Sequence, residues 1–279
     1  MEETKEKKEK VFVLPDTITE SVGTDPRDLV IVGIPKIGKG VILGDFSRQK
    51  NAIVLDLEKG GYEFISARKI STYAGELDDE YDSFKNYVAA RNALLEHKGK
   101  YDYLIIDGLS DLDSLSVIGG TLNYMNSTQG KKFNRVGGIA GNPKIPYGDK
   151  DWKSVTSLPD GAGYQHTRKW FMDQIKIFTQ ISPYRIYAAH IVDKYIKDDG
   201  KEEVVGSEIA LTGKLKQIFA SRVTALAKIM ADGDKRYLNF DVQNDSIIAG
   251  SRSEALSGKI LISEKTPEGI KTYWENIYK

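Results

Sequence analysis

The stretch DLVIVGIPKIGKG, residues 28–40, joins an apolar run to a loop that contains two glycines and a lysine. Gly33 is followed by four residues and then by Gly38 and Lys39, which is the G-x-x-x-x-G-K spacing of a phosphate-binding loop. Both glycines are expected to take positive φ, so that successive N–H groups point at a phosphate. A helix that begins near Gly38 adds the positive end of its dipole, and Lys39 supplies a charge for the β- and γ-phosphates.

The loop departs from the usual pattern at Gly40, where a Ser or Thr hydroxyl normally ligates magnesium. A glycine-rich turn before a helix is the alternative reading, but the spacing, the preceding strand and the lysine together favour a nucleotide site. The predicted nucleotide-binding residues are Gly33, Ile34, Pro35, Lys36, Ile37, Gly38, Lys39, Gly40 and Val41. We expect Gly40→Ser or Gly40→Thr to strengthen magnesium-dependent ATP binding or turnover, and unchanged magnesium dependence in both variants would contradict this.

Downstream of the loop, apolar strands alternate with helical patterns. Strands are predicted at 52–57, 103–107 and 185–190, and helices at 41–47, 81–97 and 164–181. A helix at 211–221, strands at 223–230 and 237–241, and a hairpin near 198–200 follow. Buried strands alternating with helices indicate an α/β fold with a mostly parallel sheet flanked by helices, and the later, closely spaced strands are expected to extend one edge as antiparallel strands.

Polar residues stand where the predicted strands end, which is where ligands bind in such sheets. Asp107 ends the run YLIID, the pattern of a carboxylate that holds magnesium. Glu58 follows the strand at 52–57 and is placed to orient an attacking water, although a helix-capping or surface role is equally open. His190 could hydrogen-bond a terminal phosphate or be a structural histidine at a strand end.

Composition limits the class of protein. Forty Lys and Arg balance forty Asp and Glu, so nucleic-acid binding would require a local basic patch. There are no cysteines, which excludes disulfides and thiolate metal sites. No segment approaches the roughly 18 apolar residues of a membrane span, and the charged N-terminus lacks an apolar signal region. We therefore expect a cytoplasmic protein without membrane association, with residues 1–27 as tail and lead-in and residues 28–279 as one domain.

The ordered series GIPKIGKG, LDLEKGG, YDYLIIDGLSDL, LPDGAGYQHTRKWF, AAHIVDKY and LTGKLKQIFAS resembles phage-encoded RecA-like P-loop ATPases. Within that family it is most similar to the group linked to single-strand annealing and recombination. The resemblance runs from about residue 29 to the C-terminus and implies a RecA-like core that uses ATP and Mg2+. It implies that Lys39 binds phosphate, Asp107 holds magnesium, Glu58 is the catalytic carboxylate and His190 senses the γ-phosphate.

RecA-like proteins work as rings or filaments with nucleotide between subunits, so the resemblance also implies a homo-oligomer. A basic residue would then reach across the interface. Lys194 is the candidate for this contact in trans, and Arg222 and Arg252 are weaker ones. For a phage protein the compartment would be the host cytoplasm, and a single-strand-binding protein is a possible further partner.

RecA-like proteins bind single-stranded DNA through loops, and here a long loop insertion is predicted at about 126–160. Residues 121–153 contain six basic and two acidic residues with aromatic residues interleaved. Positive charge follows a nucleic-acid backbone and aromatic rings stack on bases, so this composition suits single-stranded DNA, although a solvated loop is the alternative. The DNA-binding candidates are Lys131, Lys132, Phe133, Arg135 and Lys153.

Three functions are consistent with these features. The first is an oligomeric, DNA-stimulated ATPase of phage recombination or replication. The second is a nucleotide-dependent structural or annealing protein with weak or no hydrolysis, which Gly40 supports. The third is a small-molecule kinase, which is disfavoured because the sequence has no arginine-rich lid segment.

Overall fold

The computed structural model describes residues 25–73, 80–130, 154–198, 201–241 and 249–279. The helices are α1 (Lys39–Gln49), α2 (Glu80–Glu96), α3 (Leu109–Asn126), α4 (Tyr164–Ile181) and α5 (Leu215–Ala220). The strands are β1 (Asp28–Gly33), β2 (Ala52–Asp56), β3 (Lys69–Ser71), β4 (Tyr103–Asp107), β5 (Tyr184–Asp198), β6 (Lys201–Ile209), β7 (Ala225–Asp232), β8 (Lys235–Asn239), β9 (Gly250–Ser251), β10 (Lys259–Thr266) and β11 (Gly269–Thr272). Short 3-10 turns occur at Val155–Ser157, Pro159–Gly161 and Trp274–Asn276.

The strands form one sheet in the order β11-β10-β8-β7-β1-β5-β4-β2-β3. Pairing is parallel from β7 through β1, β5, β4 and β2 to β3. Strands β8, β10 and β11 pair antiparallel and extend the β7 edge. The predicted fold class, a mostly parallel sheet with antiparallel strands at one edge, is confirmed.

Each face of the sheet packs against its own core. In β1, Val30 and Val32 point to a cluster formed with α2, α3, α4 and α5, whereas Leu29 and Ile31 point to a cluster with α1 and Trp274. Because both faces are covered, the central strands are apolar along their whole length, which is the pattern that the sequence shows. The helices therefore flank the sheet on both sides and leave the strand ends open.

Some elements differ from the sequence prediction. The helix predicted at 211–221 is shorter, because Gly213 takes φ 57° and the helix begins only at Leu215. Strand β5 is longer than predicted, since beyond His190 it leaves the parallel sheet and pairs antiparallel with β6. This pairing confirms the predicted hairpin, although residues 199–200 at its tip lie outside the described residues.

The helix after Asp107 is continuous from Leu109 to Asn126. Of the insertion predicted at 126–160, residues 131–153 lie outside the described residues. In the described part of the chain, no helix combines the length and the apolar character that crossing a membrane requires.

Candidate functional site

The register of the parallel strands brings the predicted site residues to one edge of the sheet. Gly33 at the end of β1 is paired with His190 of β5. Asp107 at the end of β4 is paired with Asp56 of β2 on one side and with Ala188 of β5 on the other. The carboxyl ends of these four strands therefore surround the loop that precedes α1.

The backbone of this loop turns through two residues with positive φ, Lys36 at 63° and Gly38 at 109°. Gly33 is not one of them, so the expectation of a positive φ at that position is wrong. Gly33 is required for a different reason, because a Cβ built there would lie 2.3 Å from Cγ2 of Ile229 in β7. The first glycine of the motif thus permits a close approach of two strands, and the second permits the turn.

Lys39, His190 and Glu58 form a chain of hydrogen bonds across the strand ends. Lys39 Nζ donates to the carbonyl oxygens of Gly33 and Ile34, at 3.0 and 3.1 Å, and lies 3.4 Å from His190 Nδ1. Because an ammonium group only donates, His190 Nδ1 is the acceptor and the ring proton resides on Nε2. His190 Nε2 donates to Glu58 Oε1 at 3.0 Å.

The Asp107 carboxylate is 4 % exposed and accepts a hydrogen bond of 2.7 Å from the Tyr62 hydroxyl on Oδ2. The pKa of Asp107 is raised to about 7, mainly by burial and also by the negative charge of Glu58, while the Tyr62 hydrogen bond and Lys39 oppose the shift. Burial also lowers the pKa of Lys39, against the attraction of Asp107 and Glu58. The site therefore holds a negative and a positive group close together and away from solvent. A ligand that carries charges of both signs, such as a metal–phosphate complex, would neutralise both.

The donor set fits a divalent cation of the magnesium type. Glu58 raises the pKa of both Asp107 and Asp56, and Asp56 also raises the pKa of Asp107, which marks a local excess of negative charge. Among the described residues there is no group of three or more potential ligands that would hold a metal by itself. That pattern suits Mg2+, which takes one or two carboxylates and completes its shell with water and substrate phosphates.

A cavity of about 380 Å³ opens beside these groups. It is lined by Lys36, Gly38, Lys39, Gly40, Val41, Glu58, Lys59, Gly60, Gly61, Ile65, Asp107 and His190. Phosphate-loop residues thus form one wall, and the three strand-end side chains Glu58, Asp107 and His190 form another.

Comparison with known proteins agrees with this geometry. The model of the AAA domain family AAA_24 matches residues 25–253. The chain belongs to this AAA domain family. It is therefore a P-loop ATPase by family.

No curated protein matches this chain. Among solved structures, it is similar to the crystal structure of a KaiC-like protein from the hyperthermophilic archaeon Pyrococcus horikoshii OT3. The two chains are 11% identical, the comparison covers 88% of this chain and 89% of that chain, and the TM-score is 0.37. A TM-score of this size supports no inference about function.

Other predicted residues of the AAA domain lie away from the cavity or outside the described residues. Lys194 lies in the outer half of β5, where its backbone pairs with Gly206 of β6. Arg252 donates to the carbonyl oxygen of Ser221 within the same chain, at 2.6 Å. Arg222 follows α5, and its backbone N–H donates to the Phe219 carbonyl oxygen. The DNA-binding candidates Lys131, Lys132, Phe133, Arg135 and Lys153 all lie outside the described residues.

Two residues that the sequence analysis missed adjoin the AAA domain cavity. Tyr62 reaches Asp107 from the connection between β2 and β3, and Asp111 lies in the first turn of α3. The pKa of Asp111 is raised to about 6, mainly by burial and also by the negative charge of Glu58. The sequence signal near Tyr62 is the Gly60–Gly61 pair: Gly60 takes φ 74°, and a Cβ on Gly61 would lie 3.2 Å from Asp56 Oδ1. The signal near Asp111 is Gly108, which takes φ 104° and where a Cβ would lie 2.9 Å from Asp111 Oδ2.

A second cavity, of about 400 Å³, lies between the start of α4 and the loop that precedes α5. Arg168 and Lys214 line it together with Tyr164, Thr167 and Thr212. Its acidic residue, Asp113, already accepts the backbone N–H of Thr212 at 2.7 Å. The cavity therefore presents two cations, a partly exposed aromatic ring and the N-terminal end of an 18-residue helix.

Proposed function

We propose that this protein binds ATP with Mg2+ in the phosphate-loop cavity and hydrolyses it, as an oligomeric ATPase of DNA recombination or replication that acts on single-stranded DNA. The observation that carries the proposal is the convergence of Lys39, Glu58, His190 and Asp107 on one cavity at the carboxyl ends of β1, β2, β4 and β5. A chance glycine-rich turn would not bring these four groups together.

The proposed chemistry assigns each side chain a role that its position supports. Lys39 would exchange its carbonyl partners for the β- and γ-phosphates, since charge-assisted hydrogen bonds to phosphate are stronger than those to neutral oxygen. Asp107 would hold the cation, which supplies charge neutralisation when it is bound. Glu58 would orient and deprotonate the attacking water.

His190 connects the phosphate-binding lysine to the catalytic carboxylate, because its ring contacts Lys39 through Nδ1 and Glu58 through Nε2. A γ-phosphate bound to Lys39 would compete for this lysine and so alter the hydrogen bond that holds Glu58. His190 is thereby placed to report the presence of the terminal phosphate to the catalytic carboxylate.

The second cavity supports the DNA-binding part of the proposal. Arg168 and Lys214 offer contacts to phosphates, and Tyr164, which is 43% exposed, offers a surface for base stacking. The α4 N-terminus adds backbone N–H groups and a favourable dipole for an anion. In the sequence, Gly161 and Tyr164 of this cavity follow shortly after the segment in which the basic and aromatic candidates cluster.

The oligomeric part of the proposal rests on apolar side chains beside the nucleotide cavity. Phe64 is 96% exposed and Ile34 is 50% exposed, and both adjoin residues that line the cavity. Contiguous exposed apolar patches mark protein–protein interaction sites, and we propose that these two side chains belong to one. With Lys194 as the proposed contact in trans, a Phe64→Ser variant should bind nucleotide but assemble poorly.

The test is ATP hydrolysis with and without single-stranded DNA, measured for wild type, Lys39→Ala and Glu58→Gln. The proposal predicts turnover that DNA stimulates and that both substitutions abolish, with Glu58→Gln still binding ATP. Turnover that survives both substitutions would contradict the assigned roles.

Gly40 favours a second candidate, a nucleotide-dependent structural or annealing protein that hydrolyses poorly. The loop lacks the hydroxyl that normally ligates magnesium, and an ATPase deprived of this ligand could retain binding without efficient turnover. ATP-dependent assembly with negligible turnover in the wild type would favour this candidate over the first.

A further inference from the structure

The buried hydroxyl of Tyr62 lies close to the position that the phosphate loop leaves without a hydroxyl. Its oxygen is 2.7 Å from Asp107 Oδ2. A Cβ built on Gly40 would lie 3.8 Å from the same Oδ2 atom. A serine hydroxyl at position 40 and the hydroxyl of Tyr62 would therefore approach one and the same carboxylate oxygen from two different elements.

Tyr62 is held in this position by its surroundings. It is 2% exposed and belongs to the core cluster between α1 and the sheet. Lys69 of β3 donates to the carbonyl oxygen of Tyr62 at 2.5 Å, and its ammonium group lies 5.8 Å from the centre of the Tyr62 ring. The ring thus has little freedom to turn its hydroxyl elsewhere, and the hydroxyl has no other protein partner among the described hydrogen bonds of the site.

We propose that Tyr62 compensates for Gly40: its hydroxyl holds Oδ2 of Asp107 and so orients the other carboxylate oxygen for the metal that accompanies the nucleotide. Tyr62 is a positioning residue, because it acts through Asp107 rather than on the nucleotide itself. The inference deepens the proposed function and rests on it. It assigns to the connection between β2 and β3 a role that a hydroxyl group of the phosphate loop otherwise has.

The test measures binding of a fluorescent ADP analogue as Mg2+ is titrated, for wild type and Tyr62→Phe. Substituting a group that orients a metal ligand typically weakens metal affinity by about 10-fold or more, so the Mg2+ midpoint of Tyr62→Phe should rise by about 10-fold. Binding of the analogue without Mg2+ should not change. Tyr87→Phe is the matched control, because it removes another buried tyrosine hydroxyl, which bonds Gln174 at 3.0 Å in the other core cluster.

A rescue experiment separates positioning from general packing. A side chain at Gly40 would meet mainly Ile65 Cδ1, at 3.2 Å, the end of a flexible side chain, so Gly40→Ser can be accommodated. The double variant Gly40→Ser/Tyr62→Phe should recover most of the lost Mg2+ affinity. Gly40→Ser should therefore produce a larger gain in the Tyr62→Phe background than in the wild type, a non-additive coupling between neighbours.

The outcomes are distinct. A raised Mg2+ midpoint for Tyr62→Phe that Gly40→Ser restores supports the inference. A wild-type midpoint in Tyr62→Phe, or a raised midpoint that Gly40→Ser leaves unchanged, overturns it while the proposed function stands. A wild-type protein that does not bind the analogue at any Mg2+ concentration overturns the inference and the proposed function together.

Discussion

Gly33 and Gly40 differ in what a side chain would meet, although both belong to the phosphate loop. At Gly33 the nearest atom is Cγ2 of Ile229, in the adjoining strand β7 and 2.3 Å from a Cβ built there. At Gly40 it is the tip of Ile65, at 3.2 Å. The first glycine is thus fixed by the packing of the sheet, whereas the second is open to substitution.

We expect Gly33→Ala to destabilise the protein by about 1–3 kcal/mol, the usual cost of forcing a methyl group into a packed core. Gly40→Ala should change the free energy of unfolding by less than about 1 kcal/mol, because helix propensity offsets the shift of Ile65. Urea unfolding of both variants checks this. Equal destabilisation by the two substitutions would contradict the assigned reason for Gly33.

The carboxyl group of Asp111 provides a prediction about pH. Its pKa is raised from 3.8 to about 6 in the folded protein, first by burial and then by Glu58. The folded state therefore holds this proton more tightly than the unfolded state, so the stabilisation is complete below about pH 4 and is lost as pH rises to about 6. Asp111→Asn should remove this loss and be more stable than wild type at pH 7 by about 1 kcal/mol, after allowance for solvent screening.

Thermal unfolding of wild type and Asp111→Asn between pH 4 and pH 7 measures this effect. Glu58→Gln is a second check, since removing the neighbouring charge should lower the pKa of Asp111. A stability difference between the Asp111→Asn variant and the wild type that stays constant across this pH range would show that Asp111 titrates normally.

Strands β1 and β5 are joined at the end opposite to the site by a buried ion pair. Arg185 Nε and Nη2 donate to the two carboxylate oxygens of Asp28, at 2.8 and 2.7 Å. Arg185 is 5% exposed and also donates to the carbonyl oxygens of Ser182 and Pro183. The pair fixes the register of the two strands that carry Gly33 and His190.

Asp28→Asn should cost about 3–5 kcal/mol, because it leaves the Arg185 charge buried and uncompensated. Nucleotide affinity should be unchanged, since the pair lies at the far end of both strands. The exposed pair Lys169–Asp173 provides the control, and Asp173→Asn should cost about 1 kcal/mol or less. Similar stability losses for the two variants in urea would refute the structural role of the Asp28–Arg185 pair.

The elements that the sequence predicted best are those whose pattern is local. Strand β4 and helix α4 begin and end where predicted, because each is a strongly patterned segment with a clear boundary. Strands β3, β10 and β11, which lie at or next to the edges of the sheet, were missed. Strand β3 is only three residues long, and β11 is a four-residue strand that pairs with β10 across a tight turn. Pairing and packing with neighbouring strands, rather than the local pattern, determine whether such short strands form.

The same distinction applies to the candidate site. Lys39, Glu58, Asp107 and His190 follow local motifs, and the general rule for parallel sheets predicts that they lie at one edge. Tyr62 could not be found this way, because its contact with Asp107 spans 45 residues and depends on how the β2–β3 connection folds back. The positive φ of Lys36 also carries no sequence signal, because a lysine rarely takes it.

The part of the chain that the structure describes contains the proposed phosphate cavity and, between α4 and the loop that precedes α5, a second cavity lined by Arg168 and Lys214. If about four phosphates of single-stranded DNA are neutralised per subunit, log affinity should fall with log salt with a slope near −3, at about 0.7 per contact. Arg168→Ala and Lys214→Ala should each reduce the magnitude of this slope by about 0.7. Lys169→Ala is the control, since Lys169 is exposed on the same helix and pairs with Asp173.

Fluorescence anisotropy of a labelled single-stranded oligonucleotide at several salt concentrations measures these slopes. A nearly flat salt response of the wild type would count against DNA as the ligand. If Lys169→Ala reduced the slope as much as Arg168→Ala does, this result would count against the second cavity as the DNA-binding site.

The central claim is that the cavity around Lys39 is a nucleotide site, and binding of ATP in the presence of Mg2+ tests it most directly. Equilibrium dialysis should compare wild type, Lys39→Ala and, as a control, the exposed surface lysine variant Lys98→Ala. The account predicts that the wild type and Lys98→Ala bind equally and that Lys39→Ala binds at least about 10-fold more weakly, the loss expected for a hydrogen bond to a charged group. Equal binding by all three proteins, or none by the wild type, would contradict it.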